Sequence, residues 1–243
     1  MNEDPFRRNA ILNQLPDSEY AQLRPDLQLE HAQMKQTAYW PGGSISEVYF
    51  PLSAVYSLVA GTDRGMAVEV ATIGKEGFVG LPVYLGASSS PQTAFCQIPG
   101  DTAHLSTERF RQALSRDGAL HALLSRFTQA TMVQVSQNVV CNRSHPAEMR
   151  MARWLLTTQD RVGDSNEFTI TQEFLAQMLG VHRPTVSETA QKIQAAGLIH
   201  YRRGVITIID RQGLHDKACD CYDIVKAEFD STVHQHPHGE SPR

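Results

Sequence analysis

Between residues 172 and 193 apolar side chains recur at helical spacing in two short runs separated by a glycine. In the first run Phe174, Leu175, Met178 and Leu179 share one face, so a helix there is apolar on one side and polar on the other. Ala176 is small where a second helix must cross closely, and Gly180 follows the last apolar turn, where it can take the positive φ that ends a helix. Val181 is expected to pack underneath the turn. Arg183 and Pro184 open the second run, a favourable place for proline because its missing N–H would have no helical partner. Val186, Ala190 and Ile193 mark the inner side; Arg183, Thr185, Ser187, Glu188 and Lys192 are left outside. This is the internal logic of a helix-turn-helix, whose second helix presents side chains to base edges and phosphates.

The pattern on either side agrees. Residues 198–201 and 205–209 are β-branched and aromatic-rich, and Arg202-Arg203-Gly204 between them predicts a hairpin with two cations at its tip, the wing of a winged helix-turn-helix. Upstream, residues 148–157 repeat apolar positions at Met149, Ala152, Leu155 and Leu156, a first helix for the same unit, and residues 142–146 read as its hinge. The amino-terminal half has a different rhythm. After one or two short helices within residues 1–25, with Asp17 or Ser18 as a cap, β-type runs at 37–40, 46–50, 54–59, 67–73 and 93–98 alternate with Gly and Pro breaks, which predicts a small barrel or roll.

From Thr107 the period becomes helical and continues to about Cys141, with a break near Asp117-Gly118. Leu120, Leu123, Leu124 and Phe127 share a face that continues through Thr131, Gln134 and Asn138. An apolar seam turning polar suits a helix paired with its symmetry mate; packing on its own domain is the alternative. The expected class is α+β: a jelly-roll-like effector-type domain at 1–116, a dimerisation helix at 117–142, a winged helix-turn-helix at 143–214, and a helix with a disordered polar tail at 215–243.

Composition narrows the picture little further. The net charge of −4 over 243 residues is unusual for a nucleic-acid binder. Yet residues 147–213 carry eight Lys or Arg against seven Asp or Glu, whereas 1–116 carry nine against twelve, and only the reading surface need be positive. There is no apolar run long enough to span a bilayer and no secretory leader, which predicts a cytoplasmic protein. Cys96, Cys141, Cys219 and Cys221 match neither a disulfide framework nor a common zinc spacing, so no metal is expected. Cys219 and Cys221, with His215 nearby, would point to different faces of one helix, and packing is their expected role.

A roll, a long helix and a carboxy-terminal winged helix-turn-helix, in that order, resemble the Crp/Fnr family of bacterial transcription regulators. The most similar stretches are 170–199 with the RRGVITIIDRQGL run after it, and EVYFPLSAVYSLV at 47–59. The resemblance implies a homodimer on a two-fold site in double-stranded DNA, with RNA polymerase as a further partner if it activates. It assigns base readout to Arg183, Pro184, Ser187 and Glu188, and the whole set expected to contact DNA is these with Gln172, His182, Thr185, Lys192, Arg202 and Arg203. Pro184 and Glu188 depart from the best-known member's glutamate and arginine, so a different operator is expected.

Cyclic-nucleotide-binding members hold the ribose with a Gly-Glu pair and the phosphate with an arginine. Here Gly80 is followed by Leu81, and Gln92-Thr93 stands where the arginine would be, so no tight binding of cAMP or cGMP is expected and no cofactor is assigned. An iron-sulfur centre of the family's type needs cysteines near the amino terminus, and none precedes Cys96. A haem would need an axial ligand such as His31, His104 or His121, each more readily explained as a hydrogen-bonded surface residue. Two other readings are a metal-dependent cupin-like enzyme, disfavoured because residues 32–103 contain no histidine, and a winged helix used for protein contact.

Overall fold

The computed structural model describes residues 4–61, 67–114, 118–163 and 165–234. Two short helices open the chain, α1 (Ala10–Gln14) and α2 (Asp17–Leu23). Asn9 caps α1, its Oδ1 accepting from the amides of Ile11 and Leu12, while its buried Nδ2 donates to the carbonyls of Pro51 and Gly77 at 3.0 and 2.9 Å. One side chain thus starts a helix and fastens it to the roll. Neither Asp17 nor Ser18 caps α2: Asp17 is already its first residue, with Pro16 before it and no side-chain cap bond.

Seven strands form the roll: β1 (Gln28–Ala32), β2 (Thr37–Tyr39), β3 (Glu47–Pro51), β4 (Val55–Gly61), β5 (Ala67–Ile73), β6 (Thr93–Ile98) and β7 (Gly100–Ser106). They pair antiparallel in two sheets, ordered β1-β7-β3 and β2-β6-β4-β5. The hydrophobic pattern predicts five of the seven. The strand β1 is a largely exposed edge with the polar sequence QLEHA, and β7 begins at Gly100, where the pattern reads only a break. Phe50, Phe78 and Phe110 fill the roll, with ring centroids 5.0 and 5.1 Å apart along the row, joined by the buried Tyr56.

Between β5 and β6 lies the short α3 (Leu81–Tyr84); α4 (Thr107–Ala113) follows β7 and leads to α5 (Ala119–Ser144), the long helix. Leu120, Leu124, Phe127, Thr131 and Gln134 are buried within their own chain, and Asn138 donates to the Val70 carbonyl of β5 at 2.9 Å. The Gln134 amide lies between the Thr72 carbonyl (3.3 Å) and the Arg161 guanidinium (2.9 Å). These six residues therefore face the roll rather than a symmetry mate. Their polar end is explained by partners on β5 and on the next helix. The side of α5 left uncovered carries Met132, Val139 and Val140, all exposed.

Helix α5 runs to Ser144, so only His145 and Pro146 separate it from α6 (Ala147–Val162), a shorter joint than the five residues expected. Then come β8 (Glu167–Thr169), α7 (Gln172–Leu179), α8 (Arg183–Ala195), β9 (Ile199–Arg202), β10 (Val205–Ile208), α9 (Arg211–Lys217) and α10 (Cys221–His234), with a third sheet ordered β8-β10-β9. The last helix returns along α5 and adds Val225 and Phe229 to the roll's core, so residues 221–234 are an integral element. The expected disordered tail, residues 234–243, lies outside the described residues except for His234.

Cys219 and Cys221 do not share a helix. Helix α9 stops at Lys217 and α10 begins at Cys221, and the intervening turn brings both sulfurs toward Cys141 of α5.

The carboxy-terminal unit is docked on the roll. Val55, Val59 and Ile98 of the roll belong to the same hydrophobic cluster as Trp154, Leu175 and Met178. Phe95 of β6 meets Phe174 of α7 edge-on at 5.6 Å, and Arg161 of α6 pairs with Glu76 at 2.7 Å, both largely buried. Trp154 donates through Nε1 to the buried Glu69 at 3.1 Å.

Candidate nucleic-acid interface

Helix α7 begins where the Thr171 hydroxyl accepts from the Phe174 amide, at 3.2 Å, and ends at Gly180, whose φ of +60° is the left-handed conformation that glycine adopts at least cost. The Val181 amide bonds back to the Ala176 carbonyl at 3.0 Å, closing the turn. Arg150 of α6 donates to the Leu179 carbonyl at 2.7 Å, placing a cation at the negative end of α7. The two helices are held at their front by a hydrogen bond from the Ser187 hydroxyl to Gln172 Oε1, 2.9 Å.

Helix α8 starts behind His182, with Arg183 and Pro184 in its first turn. Val186, Ala190 and Ile193 are buried, together with Thr189, as the helical spacing requires. His182, Arg183, Pro184, Glu188 and Lys192 are exposed, while Thr185 and Ser187 are half-buried at the edge of the same face. Every outward residue expected on this helix stands outward or at that edge. Gln172 and Ser187 differ from the rest in bonding to each other, so each has one fewer polar group free for DNA.

The wing is a two-residue hairpin. Arg202 pairs directly with Val205, and Arg203 and Gly204 both have positive φ, +51° and +81°, the pattern of a type I′ turn. Arg202 thus ends the strand, and Arg203 occupies the tip. Tyr201 anchors the hairpin: its hydroxyl donates to the Ile170 carbonyl at 3.0 Å, and its amide donates to Gln194 Oε1 of α8 at 2.6 Å. Burial pushes the Tyr201 hydroxyl's pKa up while the Arg183 cation beside it pulls it down.

Between wing and helix opens a concavity of about 390 Å³, lined by Thr171, Gln172, Arg183, Tyr201, Arg203 and Gly204. It brings together the first residue of α8 and the tip of the wing. Two arginines lining one solvent-open groove are suited to grip a phosphate backbone, since arginine offers a planar fork of donors to phosphate oxygens. The tyrosine and Gln194, which brace this groove, carry no mark in the sequence beyond an aromatic residue in a strand.

Residues 149–217 match the model of the Crp-like helix-turn-helix domain. The unit is a Crp-like helix-turn-helix domain. The fold of the whole chain, roll and long helix included, is that of Crp/Fnr regulators. FixK2 from Bradyrhizobium japonicum superposes with a TM-score of 0.67 at 16% identity, covering 79% of this chain and 98% of its own. A CRP-family transcriptional regulator from Thermus thermophilus gives 0.64 at 19% identity, covering 78% and 96%. The c-di-GMP responsive global regulator CLP of Xanthomonas campestris gives 0.61 at 17%, covering 79% and 99%. No curated protein matches by sequence. Among the described residues no helix is long and apolar enough to cross a membrane.

Four positions of the roll carry different chemistry from the Crp-like helix-turn-helix domain. Gly80, at φ +153°, turns the chain into α3, and a Cβ there would lie 2.7 Å from Val48 Cγ1. Leu81 packs against the roll's core, and Gln92 and Thr93 are half-buried at the start of β6. These four positions bring neither a carboxylate nor a cation. The three histidines considered for haem are each engaged: His31 with Asp101 at 2.9 Å, His104 with Glu47 at 3.2 Å, and His121 with the Tyr84 hydroxyl at 3.5 Å.

Proposed function

We propose that this protein is a transcription regulator that reads a two-fold DNA site as a homodimer, independently of cAMP. The observation that carries the reading is the groove lined by both Arg183 and Arg203 beside the exposed side of α8. In such an arrangement the wing and helix start grip phosphates, while Glu188, Thr185 and Lys192 reach base edges. Glu188 is suited to accept from a cytosine amino group, and Pro184 offers only apolar contact, as to a thymine methyl.

Two exposed valines and a methionine on α5 support the homodimer. Met132 and Val139 lie seven positions apart on one side of the helix, with Ser136 between and Val140 beside them, the spacing of a helix-to-helix seam. The lack of charge complementarity at Gly80, Leu81, Gln92 and Thr93 supports cAMP independence, because a buried phosphate without a cation loses its hydration uncompensated. RNA polymerase joins the partners if the protein activates.

The test is selection from a pool of random duplexes, followed by binding of the enriched site with and without cAMP. A two-fold motif bound equally well in both conditions is the expected result. Equal binding to all sequences would remove the claim of specific reading, and tightening by cAMP would remove the claim of independence.

A further inference from the structure

Three of the four cysteines and one histidine meet at the joint between the two halves of the molecule. Cys141 lies in the last turn of α5, His145 in the two-residue joint, Cys219 in the α9–α10 turn and Cys221 at the first position of α10. Their ligand atoms all lie within 4.8 Å of one another. The sulfurs of Cys141 and Cys219 are 3.5 Å apart, and Cys221 Sγ is 3.5 Å from His145 Nδ1. A zinc ion at ordinary bond lengths would set tetrahedral edges of about 3.8 Å between sulfurs and about 3.5 Å between sulfur and nitrogen. The side chains already stand close to that geometry.

We propose that Cys141, His145, Cys219 and Cys221 form a structural site for a single thiophilic divalent ion, zinc by the chemistry of its donors. A Cys₃His set fills four positions and leaves none open, the pattern of a structural rather than a catalytic centre. An iron-sulfur cluster would spread its thiolates over several irons and hold them further apart than one shared ion does. On binding, three thiols give up their protons to water as three metal–sulfur bonds and one metal–nitrogen bond form, leaving the centre with one net negative charge. Arg153 is placed to offset it, since its positive charge acts on Cys141.

The surroundings also fit. Gln137 donates through Nε2 to Cys221 Sγ at 3.2 Å, and the Asp220 carboxylate lies 3.9 Å from His145 Nε2, the nitrogen that would stay free. A carboxylate behind a ligating imidazole fixes its tautomer and orientation. The three cysteines are buried and form a cluster apart from both main cores, with Met149 packed against it. Spacing hides the site from the sequence, because the donors come from two pairs, C-x₃-H and C-x-C, with 73 residues between His145 and Cys219. A metal here would tie the end of α5 to the α9–α10 turn across the joint, fixing the angle at which the Crp-like domain leaves the long helix. The site stands on its own geometry, whether or not α8 reads DNA.

The full-length protein, purified reduced from cells supplied with zinc, is expected to hold one zinc per chain by native mass spectrometry and elemental analysis. With the zinc removed, cobalt(II) should give the intense visible bands of a tetrahedral centre together with thiolate charge transfer. Cys219→Ser and Cys221→Ser should lose both, whereas Cys96→Ser, altered within the roll, should keep them. Gln137→Ala should weaken the metal by about 10- to 100-fold. The proposal is overturned by a reduced wild-type protein that takes up neither metal, by metal content indifferent to Cys219 and Cys221, or by a Cys141–Cys219 disulfide in freshly purified protein. Because the zinc and cobalt readings are made on the wild type, a variant that fails to fold does not decide the matter.

Discussion

At the scale of single residues the two arginines of the groove have separable tasks. Arg203 is at the wing tip, held in positive φ by a turn that glycine would tolerate better, and it lines the groove. Arg203→Ala is expected to weaken binding to every duplex alike and to reduce the slope of log affinity against log salt by about 1, one phosphate contact fewer. Fluorescence anisotropy at several salt concentrations checks this. Glu188→Gln is expected to act differently, altering preference at one position of each half-site while leaving the salt slope unchanged. The outward residues of α8 were legible from spacing alone, since Val186, Ala190 and Ile193 fix which side is inward. What spacing could not give was the bond between Gln172 and Ser187, which depends on how two helices cross.

At the scale of elements the long helix is the instructive case. Its apolar-to-polar face, from Leu120 through Asn138, has two readings in one dimension, because a buried glutamine or threonine can be satisfied by a symmetry mate or by a neighbouring strand. Here β5 and α6 supply the partners: Thr72 and Val70 through their carbonyls, Arg161 through its guanidinium. The face that remains for a partner carries few apolar residues, and a pattern search for a continuous seam passes over it. Val139→Glu, which puts like charges opposite one another in a symmetric pair, is expected to shift the protein from dimer to monomer in sedimentation equilibrium with little change in melting temperature. Gln134→Ala, which leaves Arg161 Nη2 without its acceptor in the interior while the Glu76 pair remains, should instead lower stability by about 1–3 kcal/mol and leave the oligomeric state unchanged. Among the strands, β1 escaped notice because an exposed polar edge lacks the alternation that marks a half-buried strand.

At the scale of the whole molecule the notable feature is how the DNA-binding unit rests on the roll. Its contact surface includes Glu69, a buried carboxyl. Burial raises its pKa above the ordinary range, outweighing hydrogen bonds to Ser57, Thr72 and Trp154 and the charge of Arg161, which pull it down. A neutral carboxyl also suits Ser57, whose one hydroxyl proton cannot serve both Glu69 Oε2 and Gln97 Oε1, each 2.5 Å away. Because the folded pKa exceeds the unfolded one, the native state binds more protons there. This contribution is full below the unfolded pKa and is lost as pH rises through the folded one. Glu69→Gln, uncharged at every pH, is therefore expected to remove that decline, with melting at neutral pH equal to or above the wild type's, as calorimetry across the acidic-to-neutral range would record.

The central claim is that the chain reads DNA through α8 and the wing as a symmetric pair. The most direct measurement is footprinting of the wild type and of Arg183→Ala on the duplex enriched by selection. Two protected half-sites with centres about 34–36 Å apart, one turn of DNA, are expected, both lost together in the variant. A single unpaired footprint, or protection unchanged by Arg183→Ala, would contradict it.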